Sequence, residues 1–576
     1  MVNHRRVGPT VVAVMAAALL TTSCAKVPTG GDAVSVRDVP PVAVDDFPDV
    51  RLQPRRPGRG DGPEEIVRGF LSAVKSTTDG HAIARSYLAS PSDSWRDDRA
   101  TRIISVTGLK TTAGPNDTFR VRLTGQQEAI LGKDGAYVPQ DHPLVVDFTL
   151  RRIGGEWRIT ELPAGVLLPA EDFRQVYRAV DLFFLSPDGG TVVPDRRYFD
   201  VKAAALPTRM AQALLAGSSD WLSAGVRTGF PQDTRLRSNV IKDGDVFVVD
   251  LSSDVLAASR SDQAALAAQL VWTLVKRFSV GGLRLLADGR PLRVQNGNGL
   301  LNRDAYDGYD PRVVSPQVSS YFLTGGSLRA YGGKAPTSPA AAAGAGLISA
   351  AMSADEKRLA GVRPRRGGGM ELVAGPIGNP LVARYTARTL SRPSWEAGSA
   401  AVYMVANGRQ VIRVPIGGRP ALVPANGLER AGPVSALVLS RDGVRVAVIA
   451  GRAGQGQLLV GVLGRSPGQL SITGLRRVAP ELTGVMDVAW SGEAEMLVLG
   501  SLGGAAAAPH DVDVDGARVT EGTTTGLPGD RRHLAAAPGQ PDLVEAGGQI
   551  WQRSRSGWGS PLYEAVPRGS APFYPG

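Results

Sequence analysis

The chain has 576 residues, 43% of them hydrophobic, enough for three or four separately cored domains. Aromatics make up only 6% while glycine numbers 70 and proline 41, a balance that favours turns and short strands over long helices. The net charge of +11 invites a nucleic-acid partner, but the arginines are scattered and no aromatic–basic module of the RNA- or single-strand-binding kind is present, so that class is excluded.

The chain opens with His4, Arg5 and Arg6, an apolar run from Val11 to Leu20, and then Thr21-Thr22-Ser23-Cys24. A charged start, a short apolar middle and small residues before a cut make an export signal over residues 1–23, cleaved between Ser23 and Cys24. Roughly ten apolar residues cover about 15 Å as a helix, half a bilayer core, so this segment is not a permanent span. Cys24 is the single cysteine, and in an exported protein it has no disulfide partner. This arrangement resembles the bacterial lipobox, which implies diacylglycerol on the Cys24 sulfur and an acyl chain, palmitate for example, on the new amino terminus. Thr21 stands where a lipobox usually carries Leu, with Leu20 one place further out. The competing reading is an ordinary signal peptide followed by an incidental cysteine. Several acyl chains anchor durably, each buried methylene contributing about 0.8 kcal/mol. The expected location is therefore the outer face of the cell membrane, where the positive charge suits anionic headgroups. An exported protein also meets little nucleic acid.

Residues 24–62 form the tether. They are rich in Pro, Arg, Asp and Gly, as in Pro54-Arg55-Arg56-Pro57-Gly58, and cannot bury enough surface to fold. From Pro63 the pattern turns helical, with Ile66, Phe70 and Val74 on one face, and a second short helix is expected over Ala82–Leu88. Phe119, Val121 and Leu123 then alternate as a strand, and Leu144–Arg152 turns at Gly154-Gly155 into Trp157-Arg158-Ile159. Helices followed by antiparallel strands make residues 63–170 an α+β unit, similar in element order to the cone-shaped nuclear-transport-factor-2-like (NTF2-like) fold. His81 and His142 are its candidate histidine bases, but both stand in turn-like sequence and read as surface residues.

Residues 178–297 carry a second α+β pattern. A strand Asp181–Leu185 turns at Pro187-Asp188-Gly189 into Thr191–Pro194, and a helix Leu206–Leu215 closes at Gly217. A strand pair, Arg235–Ile241 and Val246–Leu251, is joined by Asp243-Gly244. Ser261 is expected to cap a helix bearing Leu266, Leu270, Leu274 and Phe278, before Leu283–Leu286 and Asp288-Gly289. Val193-Pro194 with Arg196-Arg197, Leu214–Gly217, Phe230-Pro231, Val249–Ser252 and Gln269–Leu274 resemble the GerMN domain of spore-germination and envelope proteins. The resemblance implies a binding or assembly module.

After a linker over 298–320, residues 321–576 repeat a strand, a corner and a second strand. Leu347–Ser353 leads into Arg358–Val362, and Val434–Ser440 leads through Arg441-Asp442-Gly443 into Val444–Val448. Weaker copies lie at Met486–Ser491, His533–Pro538 and around Trp395. A period of about 40 to 50 residues fits four-stranded propeller blades better than a two-sheet sandwich. Five blades are countable, and Tyr321–Tyr331 with the C-terminal tail supplies a sixth, with Ser353, Ser440 and Ser491 expected at equivalent corners. The fold class is thus multidomain: two α+β domains and an all-β propeller of five or six blades.

Chemistry-bearing motifs are few. Asp511-Val512-Asp513-Val514-Asp515-Gly516 opens like a calcium loop, but position twelve is Gly522, with Glu521 one short, so it reads as an edge hairpin. Asp304, Asp307 and Asp310 read as solvating the linker. Gly451, Gly454 and Gly456 lack dinucleotide-site spacing and read as a blade loop. The histidines, His4, His81, His142, His510 and His533, lack metal-ligand spacing. No catalytic residue, cofactor or metal is assigned, and the chain is expected not to be an enzyme.

Signal, NTF2-like unit, GerMN unit and propeller in this order resemble the LpqB family of actinobacterial lipoproteins. The resemblance implies an envelope lipoprotein linked to a two-component sensor kinase, touching its outer domain and affecting cell-wall metabolism and division. A peptidoglycan-binding protein is the runner-up, and a hydrolase using the propeller channel the third reading. Tyr306 and Tyr309 give the linker apolar surface and are expected to be buried between the GerMN and propeller domains.

Overall fold

The computed structural model describes residues 54–77, 79–90, 95–294, 299–310, 318–331, 346–452, 454–466, 469–559 and 568–576. Ser23, Cys24 and most of the tether lie outside the described residues.

The N-terminal domain begins with a helix, Pro63–Ala73, whose Ile66, Val67, Phe70 and Leu71 are buried. Proline in the first turn and Glu64 and Glu65 beside it suit a helix start, where N–H groups are free and the dipole is positive. The apolar face packs on a five-stranded sheet ordered Glu156–Glu161, Tyr137–Ile153, Thr118–Leu131, Thr101–Ala113, Val166–Pro169. All its pairings are antiparallel except the last. The second helix is shorter than its pattern suggests, only Ala82–Arg85. Thr101–Ala113 had no clear signal in the sequence because few of its side chains, Ile103 and Ile104 among them, are buried.

The second domain pairs a hairpin, Arg178–Leu185 with Val192–Phe199, with a sheet ordered Arg290–Pro291, Gly282–Ala287, Val246–Leu251, Ile241–Asp243. Helix Leu206–Ala216 ends at Gly217 as expected. Helix Arg260–Leu270 continues through one wide turn, Val271–Val275, to Phe278. Two details differ from expectation. The helix is capped by Ser259, whose Oγ accepts the Asp262 N–H at 3.1 Å, while Ser261 sits inside the first turn. The strand expected from Arg235 is laddered only over Ile241–Asp243, since Leu236 makes a single bridge to Leu251.

The linker tyrosines require a correction. Tyr306 is 2% exposed, yet it belongs to the core of the second domain, with Tyr309 partly buried against the same core. Its carbonyl accepts the indole N–H of the fully buried Trp272 at 3.2 Å. An apolar side chain on a short link folds back onto the nearest open core, and here that core is Trp272 and not the propeller.

The last 250 or so residues form six sheets. Their innermost strands are Ser349–Met352, Ser394–Trp395, Val434–Leu439, Leu482–Trp490, Arg531–Ala535 and Ser570–Phe573. Each touches its neighbours around the ring, and Ser570–Phe573 meets both Arg531–Ala535 and Ser349–Met352. Five sheets have four strands; the sixth joins the C-terminal strand to Ser320–Thr324 and Ser327–Tyr331. The ring is therefore closed by both ends of the domain, a six-bladed propeller. Its blades are numbered one to five from Ser349 onward, with the shared sheet as the sixth.

The serine corners are equivalent. The Ser353 N–H donates to the Arg358 carbonyl and its Oγ accepts the Arg358 N–H at 2.9 Å; Ser440 does the same with Arg445. Both hydroxyls also donate to the acid two places on, Asp355 and Asp442. At Ser491 the backbone bond persists, to Glu495, but the acid two places on is Glu493, which serves another purpose.

Candidate functional site

Two places concentrate buried charge. The first is the seam where the three domains meet. Arg196 and Arg197 are neighbours on strand Val192–Phe199, so their side chains point to opposite faces. Arg196, 8% exposed, reaches Asp181 across its own hairpin at 2.9 Å and then Glu495 at 2.6 Å and Asp513 at 3.0 Å on blade four. Arg197 takes the other side, to Asp134 of the N-terminal domain at 2.9 Å and Asp195 at 2.7 Å. Burial works against the charge on Arg196, but Asp181, then Asp513 and Glu495, more than restore it. One dipeptide thus clasps both neighbouring domains.

Around this clasp the seam is dense. Lys276 pairs with Glu493 of the fourth corner while lying over the rings of Phe183 and Trp272. Trp221 donates its indole N–H to the Gly474 carbonyl at 2.8 Å, and the Arg476 guanidinium stacks on it at 4.0 Å. Gly225 lies so close to blade three that an added Cβ would stand 2.5 Å from Val462 and 2.6 Å from Val444. The N-terminal domain adds Asp141 to Arg477 at 2.8 Å. Asp515, 3% exposed on the blade-four turn, faces Tyr198, Arg196, Asp513 and Arg476. Burial pushes its carboxyl up to about 6, and the neighbouring Asp513 adds to the shift.

The second place is the propeller channel. A cavity of about 60 Å³ lies among the inner strands, walled by Trp395, Trp490, Phe573 and Tyr574 with Arg392 and Arg441. No acidic side chain lines it. Deeper in the wall, Asp487 meets Arg392 at 3.2 Å, His533 at 3.4 Å and the Leu534 N–H at 3.0 Å. Burial raises the Asp487 carboxyl, but Arg392 and then His533 pull it below its ordinary value. Burial works against the charge on His533, but the hydrogen bond to Asp487 and that carboxylate's charge together hold its pKa above the ordinary value. The cavity walls bring no pair of carboxylates together for acid–base hydrolysis.

The other sequence candidates scatter. His81, expected at the surface, is half-buried in the left-handed region at φ 61°, its ring edge-on to Trp95 at 5.3 Å, and burial lowers its pKa. His142 is exposed. His510 is buried inside blade four, its Nε2 3.2 Å from the Gly500 carbonyl. Asp304 and Asp307 are exposed, and Asp310 pairs with Arg303 at 3.5 Å. Gly451, Gly454 and Gly456 lie between two strands of blade three. Asp511–Gly516 lie in the outer hairpin of blade four, with Asp513 and Asp515 turned into the seam. Among the described residues no group of three His, Cys, Asp or Glu side chains converges as metal ligands, and no helix is long and apolar enough to cross a membrane. Cys24 and His4 lie outside the described residues. Asp515 and Arg441 were missed from the sequence: one looked like part of a hairpin and the other like a turn residue.

Comparison with known proteins follows the same divisions. Residues 56–174 match the family model described as "Lipoprotein LpqB, N-terminal domain", 181–293 that described as "Sporulation and spore germination", and 326–575 the "Lipoprotein LpqB beta-propeller domain". The chain is 30% identical to Lipoprotein LpqB of Thermobifida fusca over 97% of each chain. It is 29% identical to Lipoprotein LpqB of Nocardia farcinica over 93% of this chain and 92% of the other. Among solved structures, TolB from Acinetobacter baumannii is similar at 13% identity and a TM-score of 0.35, over 45% of this chain and 66% of that one.

Proposed function

This chain belongs to the LpqB family of lipoproteins, and from that premise we propose that it acts by contact on the outer face of the cell membrane, as an accessory protein to the extracytoplasmic domain of a sensor kinase controlling cell-wall metabolism and division. It is exported, cut before Cys24 and lipidated there. The observation that carries the reading is the clasp at Arg196 and Arg197, which ties three domains together. A rigid face of several domains binds a partner without losing entropy to domain ordering.

The anchor matters to the energetics. Residues 55–61, expected to belong to the tether, are docked on the N-terminal domain, where the Arg55 carbonyl accepts the Tyr87 hydroxyl at 2.7 Å and Glu156 accepts the Gly60 N–H at 3.0 Å, so the tether ends earlier than position 62, and a lipid on Cys24 would hold the body within one short length of chain from the membrane. That raises its effective concentration toward any membrane protein's outer domain, so modest contacts suffice.

Crosslinking in intact cells followed by capture of the chain tests the proposal. Recovery of a sensor kinase through its outer domain supports it. Recovery of peptidoglycan fragments alone would replace it with a glycan-binding role. The Cys24→Ala variant should leave the detergent phase and lose the crosslink; its persistence in detergent would mean another anchor.

A further inference from the structure

The channel holds a guanidinium that the corner of its own blade does not require. In the third corner Ser440, Asp442 and Arg445 carry every structural bond: Ser440 Oγ accepts the Arg445 N–H, and Asp442 takes the Val444 N–H and the Arg445 guanidinium. Arg441 takes no part. The residue following the corner position is Ala354 in blade one, Ala397 in blade two and Gly492 in blade four. In blade five it is Pro538, after the corner at Ala537, so no other of these five corners carries a long charged side chain at this place.

That side chain lines the cavity of about 60 Å³, room for roughly four waters or one carboxylate head. The second arginine there, Arg392, is answered by Asp487 at 3.2 Å. Arg441 instead donates to the Pro575 carbonyl at 2.7 Å, and among the described residues no carboxylate pairs with it. Burial alone brings its pKa down to about 10. The polar edges of the surrounding tryptophans are already engaged between blades, Trp395 to the Ala351 carbonyl at 3.0 Å and Trp490 to the Val438 carbonyl at 3.2 Å. The walls therefore offer aromatic rings and one cation that no side-chain carboxylate answers, held beside Pro575 and Gly576. A half-buried guanidinium without a counter-charge is costly, and its planar fork matches a carboxylate.

We propose that the propeller channel is a receptor for a single carboxylate group, bound by Arg441 between the faces of Trp395, Trp490 and Tyr574. The group comes from an acidic side chain on a peptide segment or from a small free acid. The proposal rests on the channel alone and stands apart from the identity of the kinase partner.

The test uses the full chain in detergent, with sodium acetate and the blocked peptide acetyl-Gly-Asp-Gly-amide as probes against sodium chloride at equal ionic strength. Thermal midpoint and tryptophan fluorescence should both change saturably in the wild type. Arg441→Ala, which copies blades one and two and should fold, should weaken binding at least tenfold, and Arg441→Lys should retain part of it. Peptide binding more than tenfold tighter than acetate would identify a peptide source, and equal binding a free acid. Equal responses in wild type and Arg441→Ala would overturn the proposal. So would Arg441-dependent binding of inorganic phosphate as tight as that of acetate, which would deny the carboxylate selectivity.

Discussion

Asp515 permits a quantitative test of the seam. Its carboxyl moves from an ordinary 3.8 to about 6 because docking buries it against Asp513, while Arg196 is already engaged by three other carboxylates. A shift of roughly two units corresponds to about 3 kcal/mol between the protonated and ionised forms. The sign follows from which state holds the proton more tightly. The docked state does, so docking gains stability as pH falls from about 6 toward 3.8 and lacks that contribution at neutral pH. Asp515→Asn keeps the shape and removes the ionisation. It should match the wild type near pH 4 and exceed it at pH 7.5 by up to about 3 kcal/mol, less whatever the amide loses for want of partners. The assay is amide hydrogen exchange across residues 513–520 at both pH values, which reports local opening without assuming one global transition. The other facing groups, Tyr198, Tyr137, Arg476 and Asp513, are common to both proteins and cancel in the difference. A wild-type-to-variant difference that does not change with pH would show that this carboxyl is not protonated in the seam.

Three further outcomes follow. Arg196→Ala removes the cation that Asp181, Glu495 and Asp513 share across the seam, leaving Asp513 only Arg518, so the seam should lose about 3 kcal/mol, read as proteolytic separation of the propeller from the first two domains. Gly225→Leu forces a side chain into Val444 and Val462 and should separate the same pair while each domain retains its own melting transition. Tyr306→Ala should cost about 3 to 5 kcal/mol within the second domain, since the ring fills that core beside Trp272, and should leave the propeller contact unchanged; a change confined to that contact would restore the interface role expected from sequence.

Much of the architecture is readable along the chain because its causes are local. The corner of strand, Ser, turn and strand is legible in blades one and three because there a hydroxyl two residues from an acid satisfies the same turn N–H groups, so Ser353 and Ser440 announce those blades. Gly217 ends a helix and Asp243-Gly244 turns a hairpin for equally local reasons. Ser259 and Ser261 are harder, since two serines stand within one turn of the same helix start and only the backbone path selects the cap.

The amino-acid sequence by itself determined the two α+β patterns and the blade period, properties of neighbours separated by one strand or one helical turn. Only the tertiary structure decided which charges meet. Arg196 stands 299 residues from Glu495, and Arg477 stands 336 residues from Asp141. Over such separations the partner is chosen by domain packing, which no local pattern encodes. The same reason placed Tyr306 in a core and not an interface, turned Asp515 from a hairpin residue into a buried acid, and set Arg441 inside a closed ring that exists only once the strand Ser570–Phe573 has joined Ser320–Thr324.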